Sequence, residues 1–136
     1  MKTILIGYDD TDHSKRALER AAALAKAFDA KIVVTSVALT MTPAPRGGGI
    51  DPIESKDVHR DELAHATEAL AAQGIKAETI LAVGDPVDAI VEAAKECNAD
   101  LIVVGTREHG FIGRMFGQSV SAGVSHAATC DVLIVH

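Results

Sequence analysis

Two rhythms of apolar and polar positions take turns along this chain from start to end. Ile4 to Tyr8 (ILIGY) is a short apolar run that meets Asp9 and Asp10, the pattern of a parallel strand buried on both faces. Ser14 to Phe28 then repeats Ala17, Leu18, Ala21, Leu24, Ala25 and Phe28 at helical spacing, with Thr11 or Asp12 placed to cap its start. Lys31 to Val37 (KIVVTSV) is β-branched and predicts a second strand. Lys56 to Gln73 predicts a helix that stops at Gly74, and Lys76 to Val83 a third strand. At Gly84-Asp85-Pro86 a turn leads into a helix: Asp85 can cap it, and Pro86 suits the first helical position because no hydrogen bond is lost there. That helix runs to about Cys97. Asp100 to Val104 predicts a fourth strand, Ser119 to Ala127 a short last helix, and Asp131 to Val135 a fifth strand.

Two stretches break the rhythm. Thr40 to Pro52 reads TMTPAPRGGGIDP, and its prolines and consecutive glycines exclude helix and strand alike. A flexible loop over about residues 40–55 is expected, of a length that in a small domain is functional or disordered. Gly105 to Gly117 is also glycine-rich.

Five strands alternating with four helices imply an α/β fold: a five-stranded parallel, doubly wound sheet with helices on both faces. No internal repeat or domain boundary interrupts it, so a single domain over residues 1–136 is expected. Ligands of such sheets bind outside the carboxyl ends of the strands, where strand order reverses. With a flavodoxin-like order, the loops after Tyr8, Val37 and Val104 form one crevice.

Composition narrows the partners. Hydrophobic residues are 48% of the chain and aromatics 3%, so Ala, Val, Ile and Leu must build the core. Few aromatics leave few platforms for stacking bases, and a net charge of -6 without any basic run repels a phosphate backbone. Nucleic acid is not an expected partner. Nor is a membrane, because no apolar run approaches the ~18 residues a spanning helix needs. MKTILIGY is cut short by Asp9 and Asp10, unlike a signal peptide, and a cytoplasmic location is expected. Cys97 and Cys130 show no metal or redox spacing and read as small buried hydrophobes. The six histidines form no HExxH-type pair, so no structural metal is expected, and no serine sits in a GxSxG elbow.

Three stretches carry a family resemblance. ILIGYDDTDHSKRAL resembles the start of the universal stress proteins, an apolar strand followed by Asp-Gly-Ser or similar and then Ser-x-x-Ala-Leu. VGDPVDAIVEAAKECNADLIVVGTR resembles their third helix and fourth strand, and SVSAGVSHAATCDVLIVH their last helix and strand. The resemblance implies an adenine nucleotide alpha hydrolase-like sandwich. It also implies an adenosine site made by Asp9, by the backbone at Val37, and by Val104 and Gly105. ATP-binding members carry Gly-x-x-Gly, nine residues, then Gly-Ser/Thr after the fourth strand, where glycines let backbone N–H groups approach phosphate. Here Gly105 is followed by Glu108 and Gln118 at the other two glycine positions, and then by Ser119. Glu108 beside phosphate costs ~1 kcal/mol per like charge in water and up to ~4 kcal/mol near a protein surface.

AMP or cyclic AMP is therefore expected to fit better than ATP. Arg107 and Arg114 are either phosphate contacts or solvated surface residues. Ser119 is a phosphate contact, the cap of the last helix, or both. The expected function is a sensor or buffer of an adenine nucleotide in stress response, without catalytic residues of its own. A slow ATPase and a nucleotide-free dimeric interaction protein remain the alternatives. A receiver domain is excluded, since Ala82-Val83-Gly84 and His136 stand where its phosphoacceptor Asp and its Lys belong. The resemblance also implies a homodimer through the C-terminal strand, whose bare edge is a liability that pairing covers.

Overall fold

The computed structural model describes residues 1–38, 40–43, 50–52, 56–106 and 118–136. Eleven elements follow in chain order: β1 (Thr3–Gly7), α1 (Asp12–Phe28), β2 (Lys31–Ala38), β3 (Thr40–Pro43), β4 (Ile50–Pro52), α2 (Lys56–Ala71), β5 (Ala77–Val83), α3 (Pro86–Glu96), β6 (Leu101–Gly105), α4 (Gln118–Ala127) and β7 (Asp131–Val135). The five expected strands form one parallel sheet in the order β5-β2-β1-β6-β7.

Chain direction across the sheet reverses between β1 and β6. In one respect the order differs from that of a flavodoxin: β5 joins the outer side of β2, where a flavodoxin would set its third strand beside β1. Either way the reversal lies next to the first strand.

The stretch after Ala38 corrects an expectation. Thr40–Pro43 and Ile50–Pro52 pair as a short antiparallel ribbon, although the prolines and glycines of the stretch from Thr40 to Pro52 argued against any strand. Pro43 and Pro52 stand at the last positions of their strands, where a missing N–H is tolerated. The rest of the expected 40–55 loop lies outside the described residues.

The sheet's two faces make two cores. Ile4, Ile6, Tyr8, Ile32 and Val34 face α1 and α2, meeting Leu18, Ala21, Leu63 and Leu70. Leu5, Val33, Val37, Ile102 and Val104 face α3 and α4, meeting Ile90, Ala93 and Val124. Central β1 has apolar side chains on both faces, which explains its unbroken apolar run; each such buried side chain contributes about 1.5–3 kcal/mol. With so few aromatics, alanines on the helices let the layers close up.

The ends obey local chemistry. Thr11 is the cap of α1, its side chain accepting from the Ser14 N–H, and Asp12 is the first helical residue. Asp85 caps α3 by accepting from the Asp88 N–H, and Pro86 opens that helix. Asp29 and Asn98 close α1 and α3 in left-handed conformations, and Gly74 (φ 79°) ends the turn after α2.

Candidate functional site at the sheet reversal

The register brings the sequence-predicted strand ends together. β1 pairs Gly7 with Thr35 of β2, and the Tyr8 N–H donates to the Thr35 carbonyl at 2.9 Å, extending the ladder. On the other side β1 pairs Ile6 with Val103 of β6. Carried onward, these registers set Asp9 level with Val37 on one side and Thr106 on the other, with Gly105 one step below. Asp9, Val37, Val104 and Gly105 therefore lie on adjoining strand ends beside the reversal. Arg107 and Glu108 lie outside the described residues. Ser119 is the second residue of α4, one position inside the helix start at Gln118.

Asp9 is buried, and a local lock fixes it. Its Oδ1 accepts from Thr11 Oγ1 at 2.6 Å and from the Thr11 N–H at 3.2 Å. Its own N–H donates to Ser14 Oγ at 3.3 Å. The short polar residues that cap α1 thus also hold the carboxylate at the end of β1. Val37 is a core residue: its side chain is fully buried among Leu5, Val33, Ile90, Val104 and Val124.

Gly105 has a packing reason of its own. A Cβ there would stand 2.7 Å from both the carbonyl carbon and the oxygen of His13, in the first turn of α1. The absent side chain lets α1 dock against the end of β6. His13 Nδ1 donates to the Thr106 carbonyl at 2.9 Å and fastens the same junction. Thr106 also donates its N–H to the Val135 carbonyl at 2.9 Å, tying the end of β6 to β7.

Sequence reasoning missed a buried polar cluster on the α1/α2 face. Ser36 Oγ donates to Glu62 Oε1 at 2.8 Å and lies 2.7 Å from His59 Nδ1, which is itself 2.7 Å from Glu62 Oε1. The cluster is buried, with Ser36 at 0%, His59 at 1% and Glu62 at 5% exposure. Burial pushes the Glu62 carboxyl up, against the lowering pull of the Ser36 hydroxyl and of His59. Ser36 and Glu62 meet at the same ring nitrogen, so the imidazole has no second nitrogen between them to relay a proton as in a nucleophilic triad. The signals in the sequence were a serine inside an otherwise apolar strand and a His–Glu pair three apart on a helix.

A second missed contact lies beside Asp9. Asp10 adopts φ 62°, and its Oδ2 accepts from His65 Nδ1 at 2.8 Å. That carboxylate holds the His65 imidazole above its ordinary value. Burial first, and then the Asp10 carboxylate, push the Tyr8 phenol well above its ordinary range.

Cys97 and Cys130 are free, half-buried thiols in the α3/α4 core, both raised by burial. Among the described residues no group of three or more His, Cys, Asp or Glu could hold a metal ion, and no helix is long and apolar enough to cross a membrane.

This is the architecture of the doubly wound α/β proteins whose ligands sit outside the strand ends at the reversal. The chain belongs to the universal stress protein family, whose sequence profile matches residues 1–136. It is 43% identical to the universal stress protein Rv1636 of Mycobacterium tuberculosis, over 99% of this chain and 96% of that one. It is 40% identical to a Thermus aquaticus universal stress protein, over 98% of each. Among solved structures it is similar to a universal stress protein in complex with cAMP (TM-score 0.71, 36% identity, 99% of this chain and 96% of the other). It shares its fold with the universal stress protein of Archaeoglobus fulgidus (TM-score 0.77, 24% identity, 100% and 99%).

Proposed function

We propose that this chain is a cytosolic, single-domain adenine-nucleotide-binding module, a sensor or buffer in stress response, acting through altered partner contacts and without catalysis of its own. The observation that carries this reading is the convergence of Asp9, Val37 and Val104–Gly105 at the β1/β6 reversal. It is supported by the 36% identity to a universal stress protein solved with cAMP. In this reading the adenosine lies between Asp9 and the Val37 and Val104–Gly105 backbone, and Arg107 and Ser119 reach toward phosphate. Glu108 and Gln118, at two family glycine positions, favour AMP or cyclic AMP over ATP.

Titration calorimetry of the purified chain with cyclic AMP, AMP and Mg-ATP tests it. The expected order sets cyclic AMP and AMP tighter than ATP. Tighter, metal-assisted ATP binding would refute the selectivity, and no heat with any of the three would refute the nucleotide reading.

A second reading, a nucleotide-free homodimer, is favoured by one feature: Glu108 and Gln118 stand at two of the three glycine positions of the family's phosphate motif. Native mass spectrometry of freshly purified protein separates the two, since retained adenine nucleotide excludes this one. Dimerisation through β7 is expected under either reading and is read by light scattering over a concentration series.

A further inference from the structure

The turn between β1 and α1 is fastened on two sides. Toward α1, buried Asp9 is held by Thr11 and Ser14. Toward α2, the next residue, Asp10, accepts from His65 Nδ1 through its Oδ2 at 2.8 Å. Asp10 stands in a left-handed backbone conformation (φ 62°), which Asp and Asn visit more readily than other non-glycine residues but which needs support from its surroundings. His65 gives that support from 55 residues further along the chain. Tyr8, just before Asp9, brings its phenol to the same carboxylate.

Unlike the buried cluster around Glu62, this pair is open to solvent: the His65 side chain is 58% exposed and that of Asp10 32%. Its proton therefore exchanges with the medium. Among the described residues Asp10 faces His65 from the turn, Asp61 and Glu68 from its own helix, Lys15 and Glu19 from α1 across a shared groove, and the Tyr8 phenol from the end of β1. Four carboxylates against one ammonium favour the imidazolium, and the hydrogen bond to Asp10 is the largest cause holding the ring above its ordinary value. A neutral ring still donates, but without charge the bond is about half as strong. The closed clasp thus holds its proton more tightly than an open one. Its grip is full below the ordinary value of 6.5 and weakens as pH rises through the raised one.

We propose, on the nucleotide reading above, that Asp10 and His65 are positioning residues for the nucleotide site: protonated His65 clasps the β1–α1 turn to α2, which keeps Asp9 at the strand end where adenosine is bound, so affinity rises as pH falls. Neither side chain need touch the nucleotide, since the effect reaches it through the peptide bond that joins Asp10 to Asp9.

Cyclic AMP is the probe, because its phosphodiester keeps a single charge across the range used. Calorimetric titrations of the full chain from about pH 5.5 to about pH 8.5 should show affinity falling roughly two- to fivefold as pH rises, the modest size set by an exposed pair. His65→Asn keeps a neutral donor near the position of Nδ1, and Asp10→Asn keeps an acceptor and suits the left-handed backbone. Each should bind throughout at the level the natural chain shows at high pH, with a flat profile. In the ligand-free chain the NMR signal of the His65 ring, identified by its loss in His65→Asn, should titrate above 6.5 and move down in Asp10→Asn. A flat profile in the natural chain, a slope that persists in either variant, or a His65 signal titrating at or below 6.5 overturns the proposal and leaves the nucleotide reading standing. No cyclic AMP binding at any pH overturns both.

Discussion

Replacing Gly105 by alanine is the sharpest test of how α1 docks on the end of β6. The added Cβ would stand 2.7 Å from the His13 carbonyl carbon and oxygen, against 3.4 Å for ordinary contact, so the first turn of α1 must retreat by about 0.7 Å (3.4 − 2.7). The obstacle is backbone, so no rotamer change relieves it. Overpacking of this kind costs about 1–3 kcal/mol. The retreat also breaks the His13 Nδ1–Thr106 bond of 2.9 Å, worth about 1 kcal/mol. Together they predict a loss of about 2–4 kcal/mol, read as a fall of roughly 1–2 M in the urea midpoint of a circular dichroism melt. A double-mutant cycle with His13→Ala sharpens the reasoning. His13→Ala alone should cost about 1 kcal/mol, and much less in the Gly105→Ala background, where the bond is already gone. Recovery of wild-type stability in the double variant would refute the account, because it would place the clash on the imidazole instead of the helix backbone. So would a loss below about 0.5 kcal/mol for Gly105→Ala alone. If the account holds, weakened nucleotide binding in a Gly105 variant reports a displaced helix as well as any lost approach to phosphate.

Two further outcomes follow from the packing and the buried cluster. In Gly123→Ala the new Cβ would stand 2.7 Å from Cγ2 of Val87, a β-branched side chain stiff at χ1, with its Cγ1 at 3.4 Å and Cβ at 3.6 Å; overpacking of about 1–3 kcal/mol then outweighs the roughly 1 kcal/mol of helix propensity, so a net loss is expected, turning to a clear gain in a Val87→Ala background, by urea titration. Burial raises the Glu62 carboxyl above its ordinary value of 4.5, so the folded state holds that proton more tightly than the unfolded chain. Glu62 therefore contributes a stability that is full below pH 4.5 and lost as pH rises through its folded value. Glu62→Gln should flatten that slope in urea titrations taken across the acid range, and an unchanged slope would assign it to other groups.

Where burial is two-sided or a cap is local, the sequence was legible. The apolar runs of β1, β2 and β6 and the Asp85-Pro86 helix start need only their nearest neighbours to be recognised. The convergence of Asp9, Val37 and Gly105 could be anticipated as well, because a parallel doubly wound sheet leaves few places for strand ends to meet. What stayed hidden depends on contacts between distant segments. Ser36 finds His59 and Glu62 only once α2 lies across β2. The reason for Gly105 appears only when α1 docks on β6. The β3–β4 ribbon ran against its own composition, since two short strands tolerate prolines at their ends that a central strand would reject.

The sheet's two borders are unlike. β5 carries Glu78, paired with Lys31, and a partly exposed face, whereas β7 presents Val132, Leu133 and Ile134 with no charge after Asp131. A charged border discourages a neighbour and an uncharged one invites it. If copies pair as proposed, a single inviting border lets each molecule accept one mate and leaves nothing more to offer. Such pairing would close at two copies and would not propagate into a fibre.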